Sequence, residues 1–125
     1  MERTREEKRA RTIRRLRRFI KRGNILGAMD SRGCHYVTKD GKRCALGALL
    51  TREEAERAEV HGYGPALLCD QFRLHKRTGM KLTELGELQR AHDQDTDRGG
   101  VHFPELLDRL RRIESGGSLT APCHS

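Results

Sequence analysis

The sequence predicts a mainly helical α+β domain that consists of a basic N-terminal helix, one β-hairpin and three to four further short helices. Three observations lead to this prediction. Apolar residues recur at helical spacing within residues 1–22, which also carry all of the excess positive charge. The dipeptide Asp40-Gly41 stands between two short segments of β-forming residues. Leucines recur at helical spacing in three later segments.

Residues 1–22 are predicted to form an amphipathic helix. Its apolar stripe, which can pack on a core, consists of Ile13, Leu16, Phe19 and Ile20. The segment holds eleven Lys and Arg against three Glu, whereas residues 23–125 hold fifteen residues of each sign. The basic side chains of its acid-free face are Arg11, Arg14, Arg15, Arg17, Arg18, Lys21 and Arg22. We therefore expect this face to bind an anionic partner.

Nucleic acid is the favoured partner, because arginines on one side of a helix can displace counterions from a phosphate backbone. An acidic protein surface is an alternative, and a merely solvated face is the simplest explanation of the pattern. A membrane surface is disfavoured, since the apolar stripe would then have to face lipid. No apolar run approaches the length that a bilayer requires, and the N-terminus is charged where a signal peptide is apolar, so we expect a cytoplasmic protein.

Residues 34–46 are predicted to form the β-hairpin, because Asp and Gly tolerate the positive φ that a tight turn demands. In the favoured register Tyr36 lies opposite Cys44, and both cysteines of the hairpin share one apolar face. In the other register Val37 lies opposite Cys44, and the cysteines fall on opposite faces. We expect both cysteines to be small buried hydrophobic residues. The apolar block that follows, residues 45–50, is too continuous for an exposed strand, so we expect it to leave the hairpin and pass through the core, and Gly47 indicates close packing against a neighbouring backbone.

Further helices are predicted after the hairpin. The first follows a capping box at residues 51–54, and two others begin at Pro65 and Pro104, since proline suits the first position of a helix. The residues assigned to the buried sides of the last three helices are Leu67, Leu68, Phe72 and Leu74; Leu82, Leu85, Leu88 and His92; and Leu106, Leu107, Leu110 and Ile113. Residues 23–114 are thus expected to form one small domain, and residues 115–125 a disordered tail.

The segment between the last two helices partly matches a calcium-binding loop. Asp93, Asp95 and Asp97 alternate there, and Glu105 follows after two glycines. Arg98 is inserted where the loop requires a glycine, which moves the later ligands away from the aspartates. A polar loop between two helices is therefore the favoured interpretation.

Cysteine and histidine residues are the remaining candidates for chemistry. A zinc site is most readily assembled from Cys34, Cys44, Cys69 and His92. These residues lack the closely spaced ligand pairs of zinc sites, so we predict buried thiols and no cofactor. A metal-dependent or cysteine-dependent enzyme using Cys44, Cys69 and His92 is the alternative function. Because each of the three has an adequate structural role, we predict a protein that is not an enzyme.

Four segments resemble a family of small phage and prophage proteins to which no reaction is assigned. They are Cys34-His35-Tyr36, Asp40-Gly41, the run from Cys44 to Leu50, and Leu88-Gln89-Arg90-Ala91-His92-Asp93. The resemblance covers residues 20–114, and the chain departs from it at Phe103, where Trp is expected, and in its arginine-rich first helix. It implies a phage origin and a role in the host cytoplasm. Together with the charge, it favours a binding protein that docks on nucleic acid or on a host nucleic-acid-handling complex, and that inhibits host defence or transcription.

Overall fold

A computed structural model describes residues 3–25, 36–38, 41–100 and 102–116 of the chain. The helices of this part are α1 (Arg5–Lys21), α2 (Arg52–His61), α3 (Pro65–Phe72), α4 (Leu74–Thr78), α5 (Leu82–Asp97) and α6 (Pro104–Glu114). A 3₁₀ turn, Gly47–Leu49, precedes α2. Helices α5 and α6 pack most extensively on each other, and α1 crosses the 3₁₀ turn, α4 and α6.

The predicted β-hairpin is wrong, and the fold is helical rather than α+β. The described part of the chain contains no strand, and its backbone bridges join only Arg43 with Val37 and Arg43 with Ile25. The described residues on either side of Asp40 are bonded to each other, since the Thr38 N–H donates to the Lys42 carbonyl over 2.9 Å, while residues 34–35 and 39–40 of the predicted hairpin lie outside the described residues. The turn signal in the sequence is therefore not accompanied by a pair of strands in the described part of the chain.

The chain leaves the extended conformation directly after Arg43. Residues 44–50 are all buried, and the 3₁₀ turn at their centre brings consecutive side chains into the core. A strand cannot do this against a single core, because its successive side chains point to opposite faces. A Cβ atom on Gly47 would lie 2.0 Å from the Tyr36 carbonyl oxygen. The close backbone packing predicted for Gly47 is confirmed.

Helix α1 begins at a capping box, in which Thr4 and Glu7 each bond the other's backbone N–H over 3.1 Å. Ile13 and Leu16 are buried in the core, and the rest of the predicted apolar stripe packs against it. Helix α1 is therefore part of the central packing of the molecule, and its opposite side is exposed.

The later helices begin at or close to their predicted first residues, but one of them is broken and two of the leucines assigned to the core are exposed. The capping box of Thr51 and Glu54 opens α2 as predicted. The helix predicted from Pro65 onward is broken at Arg73, whose φ of 52° ends α3 before α4 begins. Two leucines assigned to the core, Leu67 and Leu82, are instead exposed. The predicted tail lies, beyond Gly116, outside the described residues.

Ion pairs and hydrogen bonds of arginine fix α1 in place. The two terminal nitrogens of the Arg9 guanidinium, Nη1 and Nη2, donate to the Glu84 carboxylate over 2.6 and 2.8 Å. Nη1 also donates to the Gly79 carbonyl. At the other end of the helix Arg17 donates to both carboxylate oxygens of Glu114, over 3.0 and 2.9 Å. These contacts hold α1 against α5 and α6 and so determine where its exposed face lies.

Candidate functional site

The exposed side of α1 borders a strongly basic groove. The groove has a volume of about 620 Å³ and lies between α1, the segment Leu49–Thr51 and the end of α4 at Thr78. The basic side chains that line it are Arg3, Lys8, Arg11, Arg14, Arg15, Arg18 and Arg77. Among the described residues, no Asp or Glu lines this basic groove. Its electrostatic potential therefore favours an anion.

Arg15, an exposed residue that lines the basic groove, is oriented by hydrogen bonds to two backbone carbonyls. Its Nε donates to the Ala48 carbonyl, its Nη2 donates to the Leu50 carbonyl over 3.4 Å, and its guanidinium lies 5.3 Å from the Phe19 ring centre. Desolvation, followed by the positive charges of Arg18 and Arg77, lowers the pKa of Arg15. Positive charge is thus crowded at this point, and an anion in the basic groove would relieve the repulsion.

Three arginines of the basic groove point their charge to solvent. Arg11, Arg14 and Arg18 are exposed, and none of them forms an ion pair or a side-chain hydrogen bond with another described residue. Because an unpaired guanidinium keeps all of its donors available, these three can bind an oxyanion without breaking an existing bond.

Arg77 reaches the basic groove from α4 and is oriented by Glu54. Its Nη1 donates to both carboxylate oxygens of Glu54, over 3.0 and 2.9 Å. Burial opposes ionisation of Glu54, but its bonds with Thr51 and Arg77 outweigh that effect and lower the pKa of the carboxyl. The arginine is therefore fixed by an acid that lies outside the basic groove.

The polar groups that line the basic groove, apart from the basic ones, are three threonines. The hydroxyls of Thr12 and Thr78 donate to backbone carbonyls of their own helices, and the hydroxyl of Thr51 accepts from the Glu54 N–H. No Asn, Gln or aromatic side chain of the described residues lines the basic groove. Apart from its basic side chains and these bonded hydroxyls, it thus offers no group suited to reading base edges or stacking on bases.

The structure divides the residues predicted to bind a partner. Four of them, Arg11, Arg14, Arg15 and Arg18, line the basic groove. Arg17 is paired with Glu114, Lys21 lines a separate cleft beside Phe103, and Arg22 is the C-terminal cap of α1.

Three further basic residues line the basic groove that were not among the predicted ones: Arg3, Lys8 and Arg77. Lys8 stands three and seven residues before Arg11 and Arg15, so helical spacing could have placed it on the same face. Arg77 belongs to a distant helix, and no local signal in the sequence connects it with α1.

Cys44, Cys69 and His92, the residues of the alternative enzyme, are all buried in the core or against it. The Gly47 N–H donates to the Cys44 sulfur over 3.4 Å, and the fully buried His92 ring stacks on Phe103 with centres 5.8 Å apart. Burial raises the pKa of the Cys69 thiol, which is opposite to what a nucleophilic cysteine requires. In the part of the chain that the structure describes, no group of three or more His, Cys, Asp or Glu is placed to hold a metal ion.

The loop predicted around Asp93 and Asp97 is helical, because α5 extends to Asp97. The two carboxylate oxygens of Asp95 accept the N–H groups of Glu105 and Leu106, over 3.1 and 2.9 Å. Asp95 therefore caps the start of α6. One aspartate of the calcium-like pattern is thus explained by this cap, which satisfies two helix amides that have no partner within the helix.

Comparison of the chain with protein-family models, with curated proteins and with solved structures gives no match. No helix of the described residues is long and apolar enough to cross a membrane. The geometry and charge of the basic groove are therefore the observations from which a function has to be argued.

Proposed function

We propose that this protein is a non-enzymatic nucleic-acid-binding protein whose basic groove holds a phosphate backbone. The observation that carries the proposal is the set of seven basic side chains that line one groove with no acid among them. Arginine is the side chain best suited to such a contact, because its planar guanidinium forms paired hydrogen bonds with phosphate oxygens.

The spacing of the unpaired arginines supports the binding of a polymer of phosphates rather than of a single phosphate. Arg11 and Arg18 are separated by about 10.5 Å along the helix axis, at ~1.5 Å per residue. The same length of duplex axis contains about three phosphates of one strand, at ~3.4 Å per step. Arg11, Arg14 and Arg18 can therefore face successive phosphates, while Arg15 and Arg77 extend the contact into the basic groove.

We expect binding to depend little on base sequence. The hydroxyls in the basic groove are already bonded to the backbone, and the other lining groups are basic or apolar. Affinity then comes from counterion release, which acts equally on all sequences. Following the resemblance to phage and prophage proteins, the proposed role is to occupy nucleic acid in a host cell and so obstruct a defence or transcription complex.

Fluorescence anisotropy over a salt series tests the proposal, with duplex DNA and duplex RNA of the same length. Removing residues 1–22 is unsuitable, because Ile13 and Leu16 belong to the core. The test variant is instead Arg11→Gln/Arg14→Gln/Arg18→Gln. The control with the same change in net charge is Arg90→Gln/Arg98→Gln/Arg111→Gln, at exposed positions outside the basic groove.

With the five arginine contacts described above, wild-type affinity should fall about 500-fold between about 50 and about 200 mM salt. The groove variant should lose affinity at low salt, and its slope of log K against log salt should flatten by about 2.7, at ~0.9 per lost contact. Equal losses in the groove and control variants would show that net charge alone attracts nucleic acid. No binding by the folded wild type would reject the proposal and direct the search to an acidic protein.

A further inference from the structure

A second cleft lies on the other side of Lys8 from the basic groove. It has a volume of about 820 Å³ and lies between the start of α1, helices α3 and α4, and the residues that lead into α5. We call it the Leu82 cleft. The exposed Ala66 and Leu82 contribute apolar surface to it, whereas Cys69 and Met80, which also line it, are almost fully buried.

Leu82 is an exposed leucine that the fold does not require. Its side chain is 54% exposed at the first position of α5, whereas Leu85 and Leu88 supply the buried face of that helix. Exposing a large aliphatic side chain to water is unfavourable, and burying it stabilises a complex. The exposed Leu82 and Ala66 therefore form a surface that can bury an apolar group of a partner.

The charge around the Leu82 cleft indicates what kind of partner fits. Its basic side chains are Arg5, Lys8, His75, Lys76 and Lys81, and Asp70 is the one acid of the described residues that lines it. An apolar floor inside a basic rim complements a ligand with an apolar centre and acidic flanks. A phosphate backbone has the negative charge but no aliphatic group to cover Leu82, so the second cleft suits a different ligand from the basic groove.

We propose that the Leu82 cleft binds an acidic peptide segment of a protein partner. One apolar side chain of the segment packs against Leu82 and Ala66, and the flanking Asp or Glu carboxylates meet Lys76 and Lys81. The chain then has two separate recognition sites, one for phosphate and one for peptide. Leu82 and Lys81 do not line the basic groove, so each site can be tested while the other stays intact.

The test uses the full chain and two fluorescein-labelled peptides. The first has two central leucines flanked on both sides by Asp and Glu, and the second has serines in place of the leucines. Anisotropy titrations compare the wild type with Leu82→Ser and with the control Leu67→Ser, since Leu67 is also exposed, at 45%, but does not line the cleft. Amide chemical shifts of the wild type with each peptide provide a second, mutation-free measurement.

We expect the leucine peptide to bind, and Leu82→Ser to weaken it about tenfold, as for the loss of one apolar contact. Leu67→Ser should bind it like the wild type, and shift changes should cluster at residues 79–82. Nucleic-acid binding by Leu82→Ser should be unchanged. Equal binding of both peptides, equal effects of the two substitutions, shift changes confined to the basic groove, or no binding of either peptide would each overturn the proposal.

Discussion

The ion pair between Arg9 and Glu84 offers the sharpest test of how α1 is held. The perturbation is a double-mutant cycle of Arg9→Gln and Glu84→Gln. Glutamine at position 84 is chosen because it still accepts a hydrogen bond from the Lys81 N–H, which Glu84 receives over 2.8 Å, so the start of α5 keeps its cap. The matched control is the same cycle on Arg52 and Glu56, an exposed pair within α2.

The burial of the ion pair determines how much stability its removal is expected to cost. The side chains of Arg9 and Glu84 are only 19% and 14% exposed, against 58% and 54% for Arg52 and Glu56. Removing one partner of a largely buried pair leaves the other charge unpaired, so Glu84→Gln should cost about 2 kcal/mol, between the values for surface and fully buried pairs. The coupling energy should be about 1.5 kcal/mol, against about 0.4 kcal/mol for the control pair.

The pH dependence of unfolding supplies an independent check. Burial opposes ionisation of Glu84, but the bonds from Arg9 and from the Lys81 N–H, with the charge of Arg5, outweigh it and lower the pKa of the carboxyl. A lowered pKa in the folded state adds stability above the ordinary pKa of glutamate, and this is lost as pH falls through the folded value.

Urea denaturation should therefore show the wild type and Glu84→Gln far apart at about pH 7 and closer together at about pH 3. Thermal melting at neutral pH should show a decrease of about 8 °C for Glu84→Gln. A coupling energy equal to that of Arg52 and Glu56, or a stability difference that does not change with pH, would refute the view that this pair fixes α1.

Three further predictions concern single residues. Gly79→Ala should destabilise the chain by about 3 kcal/mol in urea, because φ is +68° there and a Cβ would lie 2.6 Å from the Arg5 carbonyl oxygen; a neutral result would contradict that close approach. Asp95→Asn should cost about 1.5 kcal/mol, because asparagine keeps one acceptor oxygen and so loses one of the two bonds that cap α6, whereas the exposed Asp97→Asn should be neutral by the same measurement. The buried Cys69 should react with a thiol reagent only on unfolding, and rapid labelling of the native protein would revive the enzyme alternative.

Local signals were sufficient to locate most helix starts. The side chain of Thr51 accepts the Glu54 N–H as the capping box predicted, and Pro104 opens α6. These signals work because capping involves residues only three or four apart. The break at Arg73 could not be predicted in the same way, since arginine carries no preference for the left-handed conformation that it adopts there.

The hairpin prediction failed because a turn and a pair of strands depend on different parts of the sequence. Gly41 adopts a φ of +86°, as a turn glycine can, yet strand pairing also needs flanking residues whose alternate side chains face water. Residues 44–50 are instead buried without alternation. The predicted passage of residues 45–50 through the core is thus confirmed, and the chain leaves the extended conformation too early for a second strand to form.

The site could be predicted only by helix and not by residue, because the role of each arginine on α1 is set by distant partners. Arg9 and Arg17 are bonded to Glu84 and Glu114, so their charge is neutralised, whereas Arg11, Arg14 and Arg18 have no such partner among the described residues. The paired arginines hold the helix near both ends, and the unpaired ones are therefore presented on a rigid element. Because little backbone entropy is then lost on binding, loosening α1 by Arg9→Gln should weaken phosphate binding although Arg9 does not line the basic groove.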